Sequence, residues 1–354
     1  MNMENNSNNI LTLDQRIKRD LDDLYNSGIL TFIQQFKNCK IKAAEQLSKD
    51  LFDTPNELSS HGLPGYFAGK RKAKTVMVML NPGSDVISQD NPFVTEKTLK
   101  KLRMNTVNSD EFVNSFQEGC KNFGKLDLVD EGKDKGKIRI DNFDIKQAAF
   151  LKAWDKDKSE VDIPDKFPDM LKNLPSKPSK KEKEERDELL RKVKKNVLTQ
   201  KLQLELIPYA SREFKNIKDD KLEFLFPYIE TLFDEIFSYE RNYVIFCSDF
   251  FYRLFRMYSN VMKDRGIIQF EGIKNEPQPY PLFKKKDKND EEKERNAFCT
   301  PIKITYNQGK AMTSIHAVIA HTFPNKALPN AYDKMQEYGK FCFEKYNEYK
   351  NLIP

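Results

Sequence analysis

Four short apolar runs, separated by helical patterns, constrain the fold more than any other feature of this chain. They are Thr75–Leu80 (TVMVML), Leu202–Ile207 (LQLELI), Tyr243–Cys247 (YVIFC) and Thr313–Ala320 (TSIHAVIA). Runs this short and this apolar read as strands buried on both faces. Between them, Leu222, Leu225, Phe226, Ile229, Leu232, Phe233 and Ile236 recur with the 3.6-residue period of a helix. Ser248 stands in an N-cap position before a second helix carrying Phe251, Leu254, Phe255 and Tyr258. A last helix carries Tyr332, Met335, Tyr338, Phe341 and Cys342. Strands alternating with helices predict parallel pairing with helices on both faces, joined by right-handed crossovers. The expected fold is α/β, a three-layer α/β/α arrangement around a four-stranded parallel sheet. Ligands of such sheets bind beyond the carboxyl ends of the strands.

The remainder of the chain divides by composition. Residues 1–10 (MNMENNSNNI) are Asn-rich, carry no apolar run of the signal-peptide kind, and are expected to be a disordered tail. A helical extension is expected over residues 11–70 and the main domain over 71–354. Two charged stretches interrupt that domain, Pro175–Lys195 (PSKPSKKEKEERDELLRKVKK) and Lys284–Arg295 (KKKDKNDEEKER). Both mix the two signs, so they read as solvated insertions, at about residues 125–200 and 284–296, rather than as nucleic-acid arms.

Several classes are excluded. Hydrophobic residues make up 38% of the chain, enough for a core, so wholesale disorder is not expected. The longest apolar runs are too short to cross a bilayer, and no membrane partner is expected. The five cysteines (Cys39, Cys120, Cys247, Cys299 and Cys342) form no C-x-x-C pair, and there are three histidines (His61, His316 and His321). Neither a disulfide framework, an iron–sulfur cluster nor a structural zinc site is expected. No cofactor is implied, and a reducing, cytoplasmic compartment fits. The net charge of +6 permits a nucleic-acid partner without establishing one.

Three loops hold the candidate chemistry, each directly after a strand. In LNPGSD, Leu80 to Asp85, Pro82 fixes φ and Gly83 tolerates positive φ. The loop is either a plain strand-ending turn or a device that presents Asn81 and backbone N–H groups above the sheet. In LELIPYAS, Leu204 to Ser211, Tyr209 is either half-buried or available to stack on a planar ligand, and Ser211 is a candidate phosphate contact. HTFPNKALPN, His321 to Asn330, holds His321, Phe323 and Leu328. His321 there is either a hydrogen-bonded strand-end residue or a reacting one.

Together these segments resemble the uracil-DNA-glycosylase-like superfamily, over about residues 75–350 less the charged stretches. LNPG is similar to the first motif of the mismatch-type glycosylases, HTFPNKAL to the last motif, and LELIPYAS to the middle strand-to-loop segment. Bacterial members carry similar L-N-P-G and P-Y-x-S segments. The resemblance implies that Asn81 holds the hydrolytic water, that His321 polarises the departing base, and that Leu328 wedges into the duplex. It also places Phe93 where an aromatic stacks on the base. Asn81 orients water but cannot take its proton, and Asp85 is the nearest carboxylate for that task. Lys97, Lys100, Lys101 and Arg103 follow the first motif, and Lys70, Arg71, Lys72 and Lys74 precede the first strand. They are candidate phosphate contacts.

The expected function is a DNA N-glycosylase-like protein that acts on or senses an altered base by flipping it into a strand-end pocket. The rival readings are a catalytically silent nucleic-acid-binding module on the same scaffold and a small-molecule enzyme directed at a nucleotide or nucleoside.

Overall fold

A computed structural model describes residues 11–26, 41–52, 58, 64–80, 108–121, 132–133, 135–137, 142–152, 154, 179–211, 217–286, 292–307, 312–321, 323 and 332–353. In chain order the elements are α1 (Leu13–Asn26), α2 (Lys42–Leu51), β1 (Phe67–Gly69), β2 (Thr75–Met79), α3 (Ser109–Lys121), α4 (Asn142–Lys152) and α5 (Lys180–Gln200). Then come β3 (Leu202–Glu205), a 3-10 segment (Asp219–Leu225), α6 (Phe226–Phe237), β4 (Tyr243–Phe246) and α7 (Phe250–Val261). β5 (Ile268–Glu271), β6 (Gln278–Lys286), β7 (Glu292–Asn307), β8 (Met312–Ala320) and α8 (Tyr332–Leu352) complete the chain. Among the described residues no helix is long and apolar enough to cross a membrane.

The four sequence-derived strands are all present, and they are neighbours. β2 pairs in parallel with β3 and β4, and β4 in parallel with β8. The sheet is larger and more mixed than the expected four-stranded parallel one. It has eight strands in the order β1-β3-β2-β4-β8-β7-β5, with β6 also on β7. β1 closes one edge antiparallel to β3, while β5, β6 and β8 all pair antiparallel with β7. The added strands are short, polar or proline-bearing. β6 carries Pro279 and Pro281, residues that lack a ladder donor and belong on edge strands. The charged run from Lys284 to Arg295 is the stem of the β6–β7 hairpin, with Lys284 opposite Glu294 and Lys286 opposite Glu292.

The pleat splits the core in two. Val76, Val78, Leu202, Leu204, Val244, Phe246, Ala317 and Ile319 share a core with side chains of α1, α2, α3, α6 and α7. Met77, Met79, Tyr243, Ile245, Val318 and Ala320 share the other with α4, α5 and α8. Every residue of β2 and β4 is buried, which is why these runs lack alternation. β8 is buried in its carboxyl half alone, where it meets β4.

The segment expected as a helical extension is built into the first layer through Leu13, Ile17, Leu21 and Leu24 of α1. Asp20, fully buried, accepts hydrogen bonds from the Tyr66 hydroxyl, from the Tyr209 hydroxyl at 2.7 Å and from Arg19 Nε at 2.8 Å. These bonds tie α1 to the approach of β1 and to the turn after β3. Before β2, the buried Arg241 guanidinium donates to the carbonyls of Arg71, Ala73, Glu235 and Ile236. The first charged stretch is half solvated. Lys181 to Glu185 are exposed, whereas Leu190 and Val193 of the same helix α5 are buried in the second core.

α4 and α8 approach so closely that only glycine fits at their crossing. A Cβ on Gly339 would lie 2.2 Å from the Phe150 carbonyl oxygen. Backbone meets backbone there, so no side-chain rotation relieves the clash. Gly339→Ala is expected to destabilise the protein by about 3 kcal/mol, the upper range for overpacking a core. Urea unfolding of the variant beside wild type measures it; a loss within experimental error would show that the helices separate without penalty.

Candidate functional site at the carboxyl edge of the sheet

Parallel register gathers the strand ends. The Leu206 and Ile207 amides donate to the carbonyls of Met79 and Leu80, each at 2.9 Å. Cys247 N–H donates to Val78 O at 2.8 Å, and Phe323 N–H to Cys247 O at 3.3 Å. The chain therefore leaves β2, β3, β4 and β8 along one edge. The loop bearing Asn81, Pro82, Gly83, Asp85 and Phe93 lies outside the described residues, as do Lys97, Lys100, Lys101, Arg103 and Leu328. The strand ends on which that loop stands are described, and they carry the site's geometry.

His321 ends β8. Its amide donates to the Tyr338 hydroxyl at 2.7 Å, and Tyr338 donates onward to the Phe298 carbonyl at 2.6 Å. The imidazole meets the Phe298 ring edge-on, with centroids 4.7 Å apart. Burial lowers its pKa, and the carboxylate of Asp249 opposes that shift. The ring is thus neutral at pH 7, and its Nδ1 is buried with no hydrogen-bond partner in the protein. Ser248, read as a helix cap, accepts the Phe250 N–H at 3.2 Å, with Asp249 exposed beside it.

Three expected contact residues are not at the surface. Tyr209 is 1% exposed, and its hydroxyl is engaged with Asp20, so it cannot stack on a ligand. Ser211 is buried and bridges antiparallel to Leu58, away from any phosphate. Phe323 is fully buried, edge-on to Phe150 at 4.9 Å, and serves the second core. The physical reason is common to all three. The strand-end turns fold back onto flanking helices, so their first aromatic residues pack inward. The basic cluster before β2 is also corrected. Residues 70–74 lie at the amino end of that strand, opposite the edge that holds His321. Arg71 there pairs with Asp14 at 2.7 Å and with Glu235.

One group that the sequence reading missed is a polar row on β3. Lys201, Gln203 and Glu205 alternate with Leu202 and Leu204, a period-two pattern that ordinarily marks a solvent face. Here the polar face lies on the side of Met77 and Met79, their neighbours in the parallel register, and is covered. Lys201 Nζ donates to Gln203 Oε1 at 3.1 Å, and Gln203 Nε2 donates to Glu205 Oε1 at 2.8 Å. Burial lowers the Lys201 pKa to about 8, with Asp144 of α4, Cys247 and Glu205 opposing. Burial also raises the Glu205 pKa to about 8, against the pull of Gln203 and Lys201. A carboxyl group held neutral at pH 7 beside a strand end is a candidate acid or hydrogen-bond donor. The alternation KLQLEL is the signal that leads to it, once the face is known to be covered.

Comparison with protein-family models, with curated proteins and with solved structures finds no match to this chain.

The Glu205 shift fixes a pH dependence. The folded acid keeps a proton that the unfolded chain releases near 4.5, so the folded state binds more protons between pH 4.5 and about 8. Stability from this group therefore falls as pH rises through that window. Lys201 acts in the opposite sense at higher pH, from about 8 to 10.5, where its folded form has already lost its proton. Melting temperature followed from about pH 5 to pH 8 should decline less in Glu205→Gln than in wild type. Parallel curves would mean that Glu205 ionises normally.

Proposed function

We propose that this chain is a DNA N-glycosylase-like protein that acts on, or senses, an altered base flipped out of the nucleic acid. The observation that carries this reading is His321. It stands on the carboxyl edge with a neutral imidazole, an unpartnered Nδ1, and a backbone held by Tyr338. In N-glycosidic hydrolysis water adds to C1′ and the C1′–N bond breaks. The electron pair leaves with the base, which ends protonated. Such a reaction rewards a preorganised donor aimed at the developing anion, and a neutral imidazole N–H is one. Asn81, on the loop after β2, is assigned to orient the water, and Asp85 is the nearest carboxylate to take its proton. Lys97, Lys100, Lys101 and Arg103 are assigned to phosphate, where each contact steepens the salt dependence of binding. Flipping the base costs a few kcal/mol, least at a damaged or mismatched position, so an altered base is the preferred target.

The test pairs two measurements on one set of variants. Mass spectrometry detects base released from DNA carrying a panel of modified bases, and anisotropy follows binding across a salt series. His321→Ala and Asn81→Ala should each lose about 10²–10³ in turnover, the effect of removing one preorganised group. Their DNA affinity should stay within a few-fold. Removing Lys100 and Lys101 should weaken binding to every sequence and flatten the salt slope. Wild-type protein that releases no base from any substrate would overturn the assignment.

A further inference from the structure

The least satisfied polar groups of the molecule lie against the β3 row. Gln147 of α4 is fully buried, and neither its Oε1 nor its Nε2 has a hydrogen-bond partner in the protein. Among the described residues it is the one side chain with two such atoms. Buried amides are otherwise almost always paired, so an orphan of this kind needs an explanation. Its neighbours Ala148, Ala149, Phe150 and Leu151 are all buried, and a Leu or Met at 147 would fill the same space without unmet atoms. Glu205 supplies a third orphan. Its Oε1 accepts from Gln203, while Oε2 is buried and unpartnered.

These groups occupy one neighbourhood. The Lys201 ammonium feels Asp144 of α4, Cys247 at the end of β4 and Glu205 at the end of β3. Gln147 lies three residues beyond Asp144, hence next to it on the same helix face. The site therefore sits between α4 and the carboxyl halves of β3 and β4, adjoining the edge from which the Asn81 loop departs.

We propose that Gln147 and Glu205 form a reading site for the hydrogen-bonding edge of a neutral heterocyclic base. This rests on the glycosylase-like reading and names what that pocket recognises. The unmet groups are one acceptor, Gln147 Oε1, and two donors, Gln147 Nε2 and the Glu205 hydroxyl. Their complement is an edge with a donor beside acceptors, as on an aminated or amide-type base, and a glutamine amide pairs with such an edge through two bonds. A charged ligand is disfavoured. The surrounding charges, Lys201, Asp144 and buried Arg191 of α5, are already inside the protein, and Cys247 is held as a thiol by burial.

The experiment titrates adenine, cytosine, uracil and hypoxanthine into the full-length protein by calorimetry, at about pH 6 and about pH 9. Wild type should bind at least one base at the lower pH. Ionisation of Glu205 should weaken that binding roughly tenfold at the higher pH. Glu205→Gln, which keeps a neutral donor, should bind with no pH step. Gln147→Leu should abolish binding while melting at or above the wild-type temperature, because it removes the orphaned atoms and keeps the volume. The inference is overturned if no base binds wild type, if Gln147→Leu binds equally well, or if Gln147→Leu melts clearly lower, which would show that the amide serves the fold. Base release from modified DNA, measured on the same preparations, separates the two readings. Release undiminished in Gln147→Leu sinks this site alone. Free-base binding without any release sinks the glycosylase reading and leaves the site standing.

Discussion

The parallel ladder of β3, β2, β4 and β8 is the constraint on which the rest of the molecule depends. Its hydrogen bonds set all four carboxyl ends along one edge, and they do so only because helices cover both faces. Covering both faces excludes water from every side chain of the central strands. A polar residue there must find its partner within the protein or leave an atom unmet, at about 1–3 kcal/mol for each unsatisfied group. The Lys201–Gln203–Glu205 row and the shifted pKa values along it follow from that exclusion.

Much of the fold was legible because the central strands are extreme. TVMVM and YVIF are apolar without interruption, and a run so short has no better place than a doubly covered strand. Residues 222–236 and 251–258 are helical as expected because their apolar residues fall on one stripe; the first turn of the former is 3-10, and Pro227 stands at the start of α6. The other strands were illegible for the opposite reason. β1 has three residues, and β6 and β7 are charged where they pair, so nothing in their composition marks them as strands. Their pairing comes from tertiary context, from the open edges of a sheet that already exists.

The candidate site was legible in position more than in detail. The rule that function sits at strand ends points to the correct edge, and His321 stands there. It misjudges Tyr209, Ser211 and Phe323, because local sequence does not say whether a residue after a strand turns outward or folds back under a helix. For Tyr209 the deciding partner is Asp20, 189 positions away in the chain. The β3 row misleads in the other direction. Alternation reports two unlike faces, but only the arrangement of α4, α5 and α8 reveals that the polar one is covered.

Two buried polar clusters stand in contrast. Around Asp20 both carboxylate oxygens have partners, with two tyrosine hydroxyls on one and Arg19 on the other; that cluster is complete and fastens α1 to the sheet. Around Glu205 and Gln147 the groups are as deeply placed but three of their atoms are unmet. Both clusters sit on helices and strands, so neither owes its state to a loose loop. Completeness is what structure alone requires, since each unmet atom weakens the fold and an apolar residue removes the penalty. Incompleteness on rigid elements, next to the edge where strand-end loops and a neutral His321 also stand, is what a recognition site requires before its ligand arrives. The tight aromatic packing of Trp154, Tyr243, Phe343 and Tyr346 in the same core supplies stability against which such unmet groups are tolerated.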